Sequence, residues 1–345
     1  MSDYEYAGVH SRNKTMVIVE GDLEKSCVLK TLLICFPEIP IKYHDIHIFH
    51  SDIYDLYCAI EKEYGEKWFE EDLSIDLPFL ISQRMEEDIH LDKRNYTNII
   101  LIFDYEHHDY WYSDEKIVRM QRHFNNVSDD GLLYINYPMI ESLFHFRTIP
   151  DGNFCERTVP VTCKPGKEYK NLVNQESTIK KYFLLFDETN KFLTKRISAD
   201  AELLESYAKD LLASRSLIEL GYVVDRISLE LELSPNCSRQ LKCALEAKMK
   251  DCDFIRKSIS YWDDLRTLII YIVKENIKKA YKIQGLSEKE GYVTTHDKYD
   301  VLDWNAILEQ QNRLSSDDRD GVIAVLSACI TFLGEYKFCW KLLVG

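Results

Sequence analysis

The stretch MVIVEGDLEKSCVLKTLL, residues 16–33, begins as a strand and ends as a helix. Met16 to Val19 is an unbroken apolar run, and Glu20, Asp22 and Glu24 crowd the join that follows. An unpaired acid directly behind four apolar residues is costly to bury, which favours a metal-binding role for Glu20. Gly21 gives the backbone room to leave the strand sharply. Residues 22–36 read as a helix with Leu23, Cys27, Leu32 and Leu33 available for packing, ended by Pro37 and Pro40.

The same alternation continues outward. DIHIFH, 45–50, reads as a strand and 51–64 as a helix, and DLPFLISQRMEEDIH, 76–90, contains another helix with Pro78 near its first turn. NIILIFDYEHHD, 98–109, is the cleanest strand; Ile99 to Phe103 is continuously apolar, as when both faces of a parallel strand are covered. A helical pattern at 114–124 and the strand GLLYINYP, 131–138, complete the series. Strand and helix in turn predict an α/β fold, a parallel sheet flanked by helices with right-handed crossovers. Sites in such sheets form beyond the carboxyl ends of the strands.

From 146 to 168 the texture changes to a Pro- and Gly-marked connection, and helical periodicity dominates beyond it, at 200–220 and 262–283. GVIAVLSACITFLG, 321–334, is apolar at helical spacing and is expected to be a buried helix and a candidate subunit contact; it is too short for a bilayer. The expected organisation is a sheet-bearing domain at 1–150 and a mainly helical domain at 151–345.

Composition narrows the class. The 345 residues include only 12 Gly and 8 Pro, which favours regular elements. The net charge of −15 speaks against a protein that coats nucleic acid nonspecifically, while a cation or a basic partner can still support a local site. The ten cysteines form no CxxC pair or zinc-finger spacing. The start, Met-Ser-Asp-Tyr-Glu-Tyr, has no signal-peptide character. A reduced, cytoplasmic protein with no membrane association is the expectation.

Two strand ends carry the chemistry. One supplies Glu20 and Glu24, the other Asp104, Glu106 and Asp109. If the strands are neighbours the acids converge, repel one another and raise each other's pKa values, and they stay ionised together only around a cation. Hard oxygen ligands select Mg²⁺, Mn²⁺ or Ca²⁺ over zinc. Asp104 and Glu106, two apart, point the same way in an extended segment; Glu20 and Glu24 stack if the turn is already helical. Asp22 fits a helix N-terminal acid better than a ligand, His107 and His108 fit surface or packing roles, and Asp109 fits either role.

VIVEGDLEK followed downstream by LIFDYE resembles the Toprim domain of primases, topoisomerases and nucleases of the OLD type. Glu20 matches the family's first-strand Glu, Asp104 and Glu106 its acidic pair with Glu in place of the usual last Asp, and Glu24 an acid of OLD-type members. LLYINYPMIESLFHF, 132–146, is similar to the small Toprim effectors of phage defence of the AriB type, found in PARIS systems, and makes Glu141 a further candidate ligand; a helix N-terminal acid is its plain alternative. The resemblance spans residues 14–146. It implies a Mg²⁺-dependent nuclease, with Mn²⁺ as a possible substitute, sequestered by an AriA-like ABC-type ATPase. The resemblance further implies that, once freed in abortive infection, it acts as a homodimer that cleaves tRNA. Within that scheme Glu20, Asp104 and Glu106 hold the main ion, Glu24 and Glu141 complete the catalytic set, and Lys164 and Lys167, with Lys170, are weak candidates for phosphate contacts. A DNA nuclease of OLD type and a non-catalytic Toprim subunit of an ATPase are the alternatives. Tyr105, Tyr110, Tyr112, Tyr134 and Tyr137 flank the motifs as base-stacking or packing residues.

Overall fold

A computed structural model describes residues 14–70, 73–84, 91–251, 259–286, 302–317 and 319–336. The N-terminal Met-Ser-Asp-Tyr-Glu-Tyr, the 85–90 part of the expected 76–90 segment, Cys252 and Cys339 lie outside the described residues. The remaining cysteines are free thiols.

The sheet has the order β2-β1-β3-β5-β4. β1 (Thr15–Val19), β2 (Ile46–Ile48), β3 (Asn98–Asp104) and β5 (Gly131–Asn136) run parallel, and the short β4 (Asn125–Asn126) closes the edge antiparallel to β5. Every residue of β1 and β5 is buried, as is all of β3 after Asn98. The unbroken apolar runs in the sequence have this cause: both faces of the sheet are covered. The pairing register aligns the strand ends. Val19 lies opposite Ile102, and Asp104 opposite Asn136, so Glu20 leaves its strand beside the end of β3.

The helix after β1 opens with π-helical turns over Leu23–Leu29 and tightens into α1 (Lys30–Cys35). α2 (Ile53–Tyr64) is capped by Asp52, whose Oδ1 accepts from the Tyr54 and Asp55 backbone N–H groups at 2.8 and 2.9 Å. α3 (Leu77–Ser82) and α4 (Asp114–His123) complete the helices between the strands.

Beyond residue 150 come α5 (Lys170–Glu176), α6 (Lys180–Phe183), α7 (Leu185–Thr194), α8 (Ala201–Leu212), α9 (Leu217–Glu230), α10 (Pro235–Asp251), α11 (Tyr261–Ile283) and α12 (Trp304–Ser315). The single periodic run at 200–220 is two helices. Ser216, extended at φ −153°, lies between them and caps the second, its hydroxyl accepting from Glu219 N at 3.2 Å.

The segment 321–334 departs from expectation: it is no α-helix. Val322–Ala324 forms β7, antiparallel to β6 (Thr158–Pro160), and residues from Ala328 to Glu335 form 3₁₀ turns. Helical spacing could not discriminate here because nearly every position is apolar, and a run without a polar face fits either period. Tertiary partners decide instead. Gln311 of α12 donates to Ala324 O at 2.8 Å and accepts from Ala324 N at 3.0 Å, as a neighbouring strand would. Tyr137 and Leu326 exchange backbone hydrogen bonds of 2.8 and 2.9 Å, tying the segment to the end of β5. Leu326, Cys329, Ile330 and Leu333 are buried within the chain's own core, which leaves them no surface for a subunit contact.

Ile330→Ala is therefore expected to cost about 2–5 kcal/mol of unfolding free energy, as for a fully enclosed aliphatic side chain. Ile218→Ala on the exposed face of α9 should fall within about 0.5 kcal/mol of wild type. Denaturant titration of both variants checks this. Equal, near-zero effects would mean that residues 328–333 are not core.

Candidate metal centre

Neighbouring parallel strands bring the two acidic motifs together. Glu20 Oε2 accepts a hydrogen bond from Asp104 N at 3.0 Å. One carboxylate oxygen each from Glu20, Asp104 and Glu106 can be chosen so that all three lie within 4.8 Å of one another. Opposite oxygens stand about 4.2 Å apart around Mg²⁺ and about 5 Å apart around Ca²⁺, so this donor set can hold a hard divalent cation.

The way the backbone reaches this arrangement differs from simple strand alternation. Asp104 ends β3, and Glu106 sits in the left-handed region at φ +42°. A turn, not an extended segment, swings the Glu106 carboxylate back over the strand end. Such a conformation in a side-chain-bearing residue is unfavourable and is held by its surroundings: Asp109 N donates to Glu106 O at 2.9 Å. Gly21 is likewise not needed for a left-handed φ. A Cβ added there would stand 3.4 Å from Glu24 Oε2, close to an ordinary contact.

Asp104 is the most constrained ligand. It is 3 % exposed, and its Oδ1 accepts from Asn136 Nδ2 at 3.2 Å. The Asn136 side-chain carbonyl in turn accepts from Cys329 N at 3.0 Å. The returning C-terminal segment thus props the amide that orients the ligand. Asn136 is not marked as a site residue by the sequence, although its place one strand across from Asp104 follows from the register.

Burial dominates the electrostatics. It pushes Glu20 from 4.5 to about 8; the Asp104 N–H opposes that shift, and Glu106, Glu24 and Asp52 add to it. Glu106 rises to about 7 through burial and then the neighbouring Asp52, Asp109 and Glu141 charges. Asp104 and Glu24 are also raised, first by burial, with surrounding carboxylates adding to it. Carboxyl groups in such a setting hold protons near neutrality unless a cation replaces them. Asp52, a helix cap in the sequence before α2, contributes to this crowding from a third element.

Glu24 and Glu141 form a second layer. Glu141 is completely buried; its Oε1 lies 3.1 Å from Lys170 Nζ, and neither oxygen receives a hydrogen bond among the described residues. Glu141 is close enough to raise the Glu24 pKa. Lys180 also faces Glu141: burial lowers its pKa, Glu141 raises it and Lys170 lowers it further. Lys164 and Lys167 are exposed, and the Lys164 backbone N–H donates to Glu168 Oε2 at 3.1 Å. Of the three lysines in the connection, Lys170 is the one in contact with a site carboxylate.

The other flanking residues sort by burial. Asp22 is exposed and makes no side-chain cap. Asp109 accepts from Trp111 N at 2.6 Å and so fastens the turn. His107 packs on Tyr112 with ring centroids 4.5 Å apart, and His108 is exposed. Tyr105, Tyr134 and Tyr137 are core residues, whereas Tyr110 is open to solvent.

Compared with protein-family models, curated proteins and solved structures, the chain matches none of them. What fold and site define is an α/β protein with a mostly parallel five-stranded sheet, a largely helical C-terminal region, and a carboxylate triad at the carboxyl ends of adjacent central strands. Among the described residues no helix is long and apolar enough to cross a membrane.

The raised pKa values fix a sign. A carboxyl group protonated more readily in the folded than in the unfolded chain contributes stability that is complete below the unfolded value of about 4.5 and is lost as pH rises through its folded pKa. For Glu106 and Glu20 that loss runs up through about 7 and about 8. Without metal, the melting temperature should fall between about pH 5 and about pH 8, the window these groups set. Mg²⁺ at the upper end should restore it, and Glu20→Gln should flatten both responses. A wild-type melting temperature indifferent to Mg²⁺ at the alkaline end would mean that the triad does not bind the ion.

Asn136→Ala removes the donor to Asp104 and the acceptor for Cys329 N. It should weaken Mg²⁺-dependent stabilisation by about 10–100-fold in apparent affinity, as loss of an outer-shell partner does. Mg²⁺ titration of the melting temperature reads this directly.

Proposed function

We propose that the chain is a divalent-cation-dependent nuclease of the Toprim type, an AriB-like effector of abortive infection. In this reading an ABC-type ATPase sequesters it until a phage trigger is sensed. The freed chain, as a homodimer, cleaves host tRNA. One observation carries the enzymatic part: Glu20, Asp104 and Glu106 converge at the ends of two adjacent parallel strands, where the resemblance implies that the ligands fall. The RNA substrate, the ATPase and the defence role rest on the resemblance over residues 14–146 alone.

Bound Mg²⁺ would supply charge neutralisation at the phosphate and a more acidic water. The protein's own groups have distinct tasks. Glu20, Asp104 and Glu106 hold the ion, and Asn136 keeps the Asp104 carboxylate in place. Glu24 and Glu141 offer carboxylates for a second ion or for a proton in transit. Lys170 is half exposed while its amine reaches Glu141, so it can turn toward a phosphate oxygen. Lys180 stands by with the same charge. The exclusion of water that raises the carboxyl pKa values also strengthens each of these contacts.

The deciding experiment incubates purified chain with end-labelled tRNA and with plasmid, in Mg²⁺ and in excess chelator. Cleavage of tRNA is expected in Mg²⁺ alone. Glu20→Gln and Asp104→Asn should lose more activity than the about 10–100-fold typical of outer-shell changes, and Lys170→Met should lose less than either. Plasmid cleavage with tRNA intact would assign a DNA nuclease of OLD type. No cleavage of either substrate would assign a non-catalytic subunit. Full activity in well-folded Glu20→Gln would reject this site.

A further inference from the structure

The turn that carries Glu106 also presents two aromatic rings to solvent. Tyr110 is 87 % exposed and Trp111 55 %, and their ring centroids lie 5.1 Å apart, edge to face. The turn beneath them is fixed. Asp109 N donates to Glu106 O at 2.9 Å, Trp111 N to Asp109 Oδ1 at 2.6 Å, and Tyr112 N to Asp109 O at 3.2 Å. The Tyr112 hydroxyl lies 3.0 Å from that of buried Tyr105, and Ser113 starts α4 directly after. Large apolar rings held outward by such a turn lose little conformational freedom on binding.

We propose that Tyr110 and Trp111 form a stacking platform for an unpaired nucleobase of the substrate, on the rim of the carboxylate site. The proposal rests on reading that site as a nuclease centre and adds the substrate feature it selects: a single-stranded or splayed base beside the cleaved phosphate. Three observations favour a base over other occupants. The rings directly follow Asp109, whose backbone N–H donates to Glu106 O at 2.9 Å, so the platform stands on the same turn as a carboxylate of the triad. The chain carries a net charge of −15, and its site is lined by carboxylates, so affinity for a polyanion cannot come from charge alone; stacking on an uncharged base face supplies it. Lys116 Nζ lies 5.5 Å from the Trp111 ring and adds a cation next to the stacked base. A protein partner needs about 800 Å² on each side, far more than two adjacent rings provide.

The test uses the full chain, with Ca²⁺ in place of Mg²⁺ for binding and Mg²⁺ for cleavage. The probes are a short single-stranded RNA and the same sequence as a blunt duplex. Tyr110→Ala/Trp111→Ala should bind the single strand on the order of tenfold more weakly, the worth of about one stacked base, and bind the duplex unchanged. Trp111→Phe should restore most of the loss, and Mg²⁺-dependent melting should match wild type, showing an intact triad. Unchanged single-strand binding by the double variant overturns the platform, as does equal weakening for strand and duplex. So does conversion of a dimeric wild type to monomers with binding unaltered, which would assign the rings to a subunit contact. If the wild type cleaves and the double variant cleaves equally well, the platform fails and the nuclease reading stands. If binding depends on the rings but nothing is cleaved, the nuclease reading fails and the platform stands.

Discussion

One hydrogen bond, from Asp104 N to Glu20 Oε2, joins the ends of two parallel strands and sets the character of everything around it. It turns the Glu20 carboxylate inward at the place where the sheet stops covering it. The partial charge of one amide does not offset burial, so the Glu20 pKa still rises to about 8. The Asp104 and Glu106 carboxyls meet it there under the same penalty. Such an assembly is stable as protonated acids or as a cation complex, and it is strained as bare carboxylates. The sheet, with all of β1 and β5 buried, has the packing to impose that strain.

The four parallel strands and their order of appearance are plain in the sequence because a buried parallel strand has few alternatives: Met16–Val19 and Ile99–Phe103 admit no amphipathic reading. The acidic pair after β3 is legible for the same reason, as charge standing at the end of apolar runs. The reach of Glu106 is not. Strand alternation suggests the correct direction for the wrong cause, since a left-handed φ at Glu106 aims the side chain, and no residue type announces it; glycine, not glutamate, would ordinarily mark such a turn. Asp52 is visible only as part of a helix start, and its effect on Glu20 and Glu106 depends on where α2 lands, which is a tertiary fact. The homogeneous apolarity of 321–334 erased the period that separates strand from helix, and side-chain amides of Gln311 and Asn276 settled it by binding Ala324 and Ser327 N.

That last segment explains how a long chain supports a small site. Leu326 pairs with Tyr137, and Cys329 N bonds to Asn136, which bonds to Asp104. Residues nearly two hundred positions apart in sequence thus share one polar relay. The amide of Asn136 satisfies a buried N–H on one side and a buried carboxylate on the other, so neither can shift without leaving a polar group unpaired in the core. The Cys329 thiol, pushed well up by burial with Glu24 and Asp104 adding to the shift, behaves as a packing group rather than a nucleophile.

Charge is distributed with the same economy. Glu141, wholly buried, has the ammonium of Lys170 as its contact and Lys180 nearby, while the triad has carboxylates on every side and no lysine or arginine bonded to it among the described residues. A lysine placed within the triad would neutralise the acids permanently and leave no reason for a cation to bind. Lysines one layer out compensate Glu141 instead. The separation of the two layers leaves the inner one without a fixed counter-charge and the outer one with lysines beside its carboxylate. It follows from Lys170 opening α5 and Glu141 lying just after the Pro138 turn, two elements that meet only because the chain doubles back over the carboxyl edge of the sheet.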